Sequence, residues 1–242
     1  MLPIYVISLP DSGARQKGIK AQAEILGLEL MFFNAVDGRN GFSQAQEQCL
    51  DRNKAKQRHN RFLSDTELAC AMSHALLCKK IAESDHRDGA IILEDDVMLS
   101  FDFAEILANQ VFEHSQENLI IFYHSNCFVY PWSAAGAFKH YLLCKPVRAP
   151  YSTMGYYVSR KGAAEIYKNS WPISGIADWG FDIRKIGAKI FMPRLLGAAD
   201  IAVLPSTIAR KNNRIKALRF RLLLNLPWIS YKFRRIFAVK IS

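Results

Sequence analysis

No apolar stretch in this chain approaches the roughly 20 residues that a membrane-spanning helix needs. Cysteine is scarce too. Cys49, Cys70, Cys78, Cys127 and Cys144 are odd in number and include no C-x-x-C pair, which argues for reduced thiols rather than a disulfide framework or a zinc ribbon. A glycine-rich phosphate loop is missing near the start, where PDSGARQKG makes a poor one, and this weighs against a metal-dependent nucleotidyltransferase. The opening MLPIYVISLPDSG has no basic lead-in and reads as a first strand, not a signal peptide. No helix-turn-helix, zinc or RNA-binding signature occurs, so nucleic acid is not expected as a partner.

One more absence divides the chain. Residues 206–242 contain no acid but ten cations, from Arg210 to Lys240. Removing those ten from the 32 Lys and Arg leaves 22, against 22 Asp and Glu. The protein is therefore a neutral domain carrying a cationic tail. With 242 residues, half of them apolar, one core is expected, with an appendage. In the tail Ile215, Leu218, Leu222 and Leu226 recur at helical spacing, and Pro227, Trp228, Tyr231 and Phe233 follow among Lys232, Arg234 and Arg235. Leucines and aromatics among unopposed cations suit an anionic membrane surface, where each cation contributes on the order of 1 kcal/mol.

What is present reads as α/β. Pro3 to Leu9 is β-branched and aromatic, Asp11-Ser12-Gly13 turns, a helix runs to Gly27, and Glu29 to Ala35 makes a second strand. This is the order of a parallel pair with a crossover helix. Residues 39–61 are polar with little periodicity and read as a mobile connection with some helix. Ser64 and Glu67 then form a capping box for a helix to about Ser84. Helix follows over Asp102 to His114, strand over Asn118 to Tyr123 and a loop over Cys127 to Ala137. Strand over Tyr151 to Ser159, helix over Arg160 to Asn169 and strand over Lys189 to Met192 complete the domain. Cys70, His74 and Cys78 recur every four residues, but three soft ligands along one straight helix cannot close a tetrahedral metal site, so buried thiols are the better reading.

The chemistry concentrates in AIILEDDV, Ala90 to Val97, an apolar run ending in Glu94, Asp95 and Asp96. Such a run after Asp88-Gly89 fits a strand buried on both faces, and ligands of open α/β sheets sit beyond the carboxyl ends of the strands. Adjacent acids there repel and lose hydration. Either a hard divalent cation clamps them to phosphate oxygens, or they form a solvated turn that caps the next helix. A second constellation, Asp178 and Asp182, lies among Trp171, Trp179 and Phe181 after a Pro/Gly loop. Asp178 there also reads as a plain N-cap.

Four segments together, YVISLPDSGAR, FNAVDG, LSDTELACAMSH and IILEDDVML, with weaker support from GYYVSRKGA and PSTI, make the chain similar to glycosyltransferase family 25, the lipooligosaccharide galactosyltransferases and their collagen-modifying relatives. The likeness covers nearly all of residues 3–208 and leaves out the tail. It implies a GT-A-like domain over 1–208 with a mostly parallel central sheet flanked by helices, and a separate basic amphipathic tail over 209–242. It also implies that Asp96, helped by Glu94, binds Mn2+ or Mg2+, that Asp95 faces the ribose or sugar, and that Ile7, Ser8, Leu9, Arg15 and Asp37 cradle the nucleotide. His74, on the family's Ser-His pair, is expected to line the donor site. The sequence departs mildly from the family at SDTE, where many members carry Pro or Gly.

The expectation that follows is an inverting, metal-dependent hexosyltransferase. It takes galactose from UDP-galactose and adds it in β linkage to a lipooligosaccharide acceptor. Inversion needs a general base for the acceptor hydroxyl, and Asp178 is the first candidate, with Asp182 in reserve. The tail is expected to hold the enzyme on the cytoplasmic face of the inner membrane, against anionic lipid. The competing readings are the nucleotidyltransferase and a non-catalytic, degenerate transferase serving as an assembly module.

Overall fold

A computed structural model describes residues 2–85, 88–113, 115–199, 234–235 and 237–241. Strand β1 (Ile4–Ser8), helix α1 (Gly13–Ile25) and strand β2 (Met31–Asn34) form the expected opening, with β2 parallel to β1. Two short helices follow, α2 (Gln44–Glu47) and α3 (Arg52–His59), and then the long α4 (Asp65–Ala82). The stretch read as a mobile connection with some helix thus holds two short helices, and its signals are local ones. Asp51 accepts a bond from the Lys54 amide at 2.9 Å, Arg52 pairs with Glu47 and Asp65, and of α3 only Ala55 is buried. Helix α4 starts with the expected capping box, in which Ser64 accepts from the Glu67 amide while Glu67 accepts from the Ser64 amide at 2.9 Å.

After α4 come strand β3 (Ala90–Glu94), the two-residue β4 (Val97–Met98), helix α5 (Phe101–Ala108) and strand β5 (Leu119–Ile121). Strands β6 (Cys127–Val129), β7 (Ala135–Phe138) and β8 (Tyr141–Cys144) occupy a region read as loop as far as residue 137. Strand β9 (Gly155–Val158), helix α6 (Arg160–Ser170) and strands β10 (Lys189–Met192) and β11 (Gly197–Ala198) follow, and β12 (Val239–Ile241) closes the chain.

Eight strands form the main sheet in the order β2-β1-β3-β9-β5-β10-β8-β7. Strands β1, β2, β3, β5, β7 and β10 share one direction, whereas β9 and β8 oppose them. The sheet is mixed at its centre, because β9 enters antiparallel between β3 and β5. Both faces are covered, which is why β1 and β3 read as unbroken apolar runs. Tyr5, Ile7, Ile92 and Tyr156 pack under α4 and α6, and Ile4, Val6, Ile91, Leu93 and Tyr157 pack under α1 and α5. A smaller cluster of Ala55, Leu68, Met72 and Ile173 joins α3 to α4.

Two details fix the entry to the site strand. Gly89 has a φ of +91°, and a Cβ there would stand 2.1 Å from the Val158 carbonyl oxygen, so the turn into β3 admits only glycine. Of the cationic segment 209–242, most lies outside the described residues. Its last strand, β12, pairs antiparallel with β6, and Arg235 stacks over Phe128 at 4.2 Å. No helix among the described residues is long and apolar enough to cross a membrane.

Candidate active site

Strands β1, β2 and β3 are parallel, so their carboxyl ends open onto one edge of the sheet. In the pairing of β1 with β3, Ile7 stands beside Glu94. The residues just beyond, Ser8 and Asp95, therefore meet, and the Ser8 hydroxyl donates to Asp95 Oδ2 at 2.7 Å. Arg15, in the first turn of α1, reaches back to Asp95 Oδ1 at 3.0 Å and stands 3.7 Å from Asp96 Oδ2. From the opposite side α4 presents Cys70, Ser73 and His74, and Asp37 and Gly38 follow β2. These groups line one open cleft at the sheet's carboxyl edge.

The three acids meet three different surroundings. Asp95 is committed to Ser8 and Arg15. Glu94 accepts from the Thr153 hydroxyl at 2.9 Å and stands 3.4 Å from His74 Nε2. That contact does not meet hydrogen-bond geometry, and His74 Nε2 has no other partner among the described residues. Burial works against the Glu94 charge, but His74, Thr153 and Arg15 outweigh it and hold the carboxyl below its usual range. Asp96 is the exception. Burial first, then the Glu94 charge, push its carboxyl up to about 6, and Arg15 offsets this only in part. Its Oδ1 is buried and has no hydrogen-bond partner among the described residues.

Those features fit a divalent cation. A buried carboxylate oxygen without a donor, next to a second carboxylate two residues away, is an arrangement that a hard cation with oxygen ligands completes. Glu94 and Asp96 are the residues that could hold it.

The other expected residues fall into two groups. Ile7, Ser8, Leu9, Arg15, Asp37 and His74 all line the same cleft as the three acids. Asp37 stands on its rim, gripped by Arg39, which also pairs with Asp11 at 2.8 Å. The hydrogen bond from Arg39 holds the Asp37 carboxyl at about 2. Asp178 and Asp182 lie instead on the loop after α6. Trp179 of that loop packs edge-to-face on Tyr156 at 5.2 Å, and a smaller cavity lined by both, and by Thr153, shares His74 with the cleft. Asp178 lines an outer hollow with Arg58, His59 and Phe181. Its charge still reaches the cleft: the Cys70 thiol is raised well above its usual range by burial, and then by Glu94, Asp178, Asp96 and Asp95. Asp182 is engaged elsewhere. It caps a short 3-10 turn, Ile183–Ile186, and holds the Arg184 guanidinium at 2.5 Å, which keeps its carboxyl below the usual range.

Sequence reasoning missed Thr153 and Tyr156, the residues that orient Glu94 and His74. His74 Nδ1 lies 3.0 Å from the Tyr156 hydroxyl, with the rings stacked at 5.9 Å. The available signal was the polar pair Ser152-Thr153 at the mouth of a buried strand, together with a tyrosine on the strand face that α4 covers.

A mixed α/β sheet with a carboxylate-lined cleft at its carboxyl edge places the cleft where open α/β folds bind ligands. The model for glycosyltransferase family 25, described as an LPS biosynthesis protein, matches residues 1–178. The chain belongs to that family. It is also similar to a lacto-N-neotetraose biosynthesis glycosyltransferase, LgtE, from Neisseria meningitidis serogroup B (strain ATCC BAA-335 / MC58), at 33% identity over 104 residues. That match takes in 43% of this chain and only 35% of the relative.

Proposed function

We propose that the protein is a metal-dependent, inverting galactosyltransferase that moves galactose from UDP-galactose, in β linkage, onto a lipooligosaccharide acceptor. The observation that carries this reading is the pair Glu94 and Asp96 at the end of β3, with one buried Asp96 oxygen lacking a donor among the described residues. Membership of the family supports the reaction class. The curated relative, named for lacto-N-neotetraose biosynthesis, favours galactose and a lipooligosaccharide.

Glu94 and Asp96 would hold Mn2+ or Mg2+, which when bound offsets the charge that develops on a diphosphate leaving group. Ile7, Ser8 and Leu9 form the floor on which the nucleotide rests, and Asp37 edges it. Arg15 and Ser8 keep Asp95 fixed against the donor's ribose or sugar. An α-linked donor and a β-linked product require attack from the face opposite the diphosphate. Asp178, on the far loop and within electrostatic reach of Cys70, takes the proton from the acceptor hydroxyl. The cationic segment 209–242 keeps the enzyme on the cytoplasmic face of the inner membrane, where a glycolipid acceptor is presented.

The test is a panel of nucleotide sugars incubated with the full chain, with Mn2+ or with EDTA, read by nucleotide release. UDP-galactose with Mn2+ is expected to give release that EDTA abolishes and that Asp96→Asn lacks while remaining folded. A folded protein that releases nucleotide from no donor sugar in Mn2+ overturns the proposal.

A further inference from the structure

Cys70 and His74 are one helical turn apart on α4 and face the cleft together, and Glu94 meets them from the end of β3. One donor atom from each, a sulfur, a nitrogen and a carboxylate oxygen, all lie within 4.8 Å of one another. The helix alone cannot close a metal site with Cys70, His74 and Cys78. The strand supplies the ligand that the helix lacks, and Cys78 stays buried in the core beneath.

The state of His74 points to a ligand. The residue is 5% exposed, and its Nε2 has no hydrogen-bond partner among the described residues. Nδ1 is occupied by the Tyr156 hydroxyl at 3.0 Å. Nε2 itself faces the Glu94 carboxylate, 3.4 Å away. The same spacing suits a cation, since the edge of a tetrahedron with bonds of about 2.1 Å is about 3.4 Å. The supporting groups are those of metal-bound histidines and carboxylates, with Tyr156 on the far ring nitrogen and Thr153 on the carboxylate.

We propose that Cys70, His74 and Glu94 form a Zn2+ site, chemically distinct from the hard-cation pair Glu94 and Asp96. Thiol and imidazole donors select a borderline-soft ion over Mn2+ or Mg2+. Binding forms a bond from Zn2+ to the Cys70 sulfur and releases the thiol proton to solvent. Three protein ligands leave the fourth position open to the cleft. Because Glu94 serves both sites, Zn2+ and the hard cation exclude one another, and zinc acts as an inhibitor of the proposed transfer. The site itself does not depend on that reading, which enters only through the shared Glu94.

The probe is Co2+ added to the full chain after EDTA treatment and dialysis. A thiolate-to-cobalt charge-transfer band in the near ultraviolet is expected. One equivalent of Zn2+ should bleach it, and excess Mn2+ should not. Cys70→Ser and Cys70→Ala should both lose the band and weaken Zn2+ binding by about 10-fold or more, whereas Cys49→Ser keeps it. Absence of the band in the wild type, or its survival in both Cys70 variants, overturns the proposal. Asp96→Asn separates the two cation readings, since it should keep the cobalt band while losing Mn2+-dependent nucleotide release. A band without any transfer refutes the transferase reading alone, and transfer without a band refutes the zinc site alone.

Discussion

Replacing His124 with Gln should remove a large part of the acid sensitivity of this fold. His124 follows β5 at the carboxyl edge of the sheet, is 1% exposed, and bonds through Nε2 to the Phe191 carbonyl of β10 at 3.2 Å. Burial, aided by the nearby Arg194 charge, pushes its pKa down from 6.5 to about 4, against the pull of the Phe191 carbonyl. Between those values the unfolded chain holds a proton that the folded one refuses, so stability rises with pH. The contribution is complete above about pH 6.5 and is lost as the pH falls toward 4. At about 1.36 kcal/mol per pK unit the whole effect is about 3.4 kcal/mol, of which about 2.4 kcal/mol is expressed between pH 7 and pH 4.5. Gln keeps a donor for Phe191 and does not titrate. Urea unfolding of both proteins at pH 7 and pH 4.5, in EDTA, isolates this group from the carboxylates that titrate in both. The wild type should lose about 2 kcal/mol more than the variant over that interval. Equal losses would refute the assignment of a buried, neutral imidazole.

Four further outcomes can be measured. Asp178→Asn should lower turnover by about 10²- to 10⁴-fold with little change in donor KM. Asp182→Asn should instead lower stability, by about 1–3 kcal/mol, because it breaks the Arg184 pairing and a cap, and the two variants are compared by steady-state kinetics and urea melts. Gly38→Ala places a Cβ 2.4 Å from the Asp65 carbonyl oxygen, so overpacking should destabilise by about 1–3 kcal/mol in a urea melt and displace the loop that carries Asp37. Replacing Arg210, Lys211, Arg214, Lys216, Arg219 and Arg221 with Gln should release the protein from anionic liposomes in a sedimentation assay and spare transfer to a soluble acceptor, while unchanged sedimentation excludes those cations as the membrane contact.

The elements legible in the sequence were those whose stability is written locally or as continuous burial. The edge of β10 was placed from a short apolar run, and α4 from Ser64 and Glu67, whose reciprocal bonds need no tertiary partner. Some helix was expected over residues 39–61, but the bounds of α2 and α3 could not be read, because Ala55 is their single buried residue and side-chain pairs rather than an apolar stripe hold them. The hairpin of β7 and β8 escaped for a related reason: Ala135 and Gly136 are exposed and show no alternation to read. The antiparallel entry of β9 is a property of the crossover, not of GYYV itself, since an apolar run buried on both faces reads alike in either direction. For the site, chain order supplied the residues on one strand or one helix. Contacts across the sheet, Thr153 to Glu94 and Tyr156 to His74, join residues 59 and 82 positions apart and left no local pattern.

Three adjacent carboxylates on a buried strand end look like one electrostatic problem, but the fold divides it. The register of β1 against β3 gives Asp95 a hydroxyl and a guanidinium, so its charge is answered within the protein. The polar turn before β9 gives Glu94 a hydroxyl, and α4 adds an imidazole. Asp96 receives the more distant edge of Arg15, at 3.7 Å, and a backbone hydrogen bond, which burial and the repulsion of Glu94 and Asp95 outweigh, and its Oδ1 has no partner among the described residues. A solvated helix cap would show a different distribution, with the outermost acid relaxed into water or bonded to backbone amides. The cap of α5 is in fact supplied by Ser100, which accepts from the Phe103 amide at 3.1 Å, so capping leaves the acids unexplained. What remains is a single carboxylate held short of its counter-charge at the mouth of the cleft, an arrangement that a hard cation with oxygen ligands would complete.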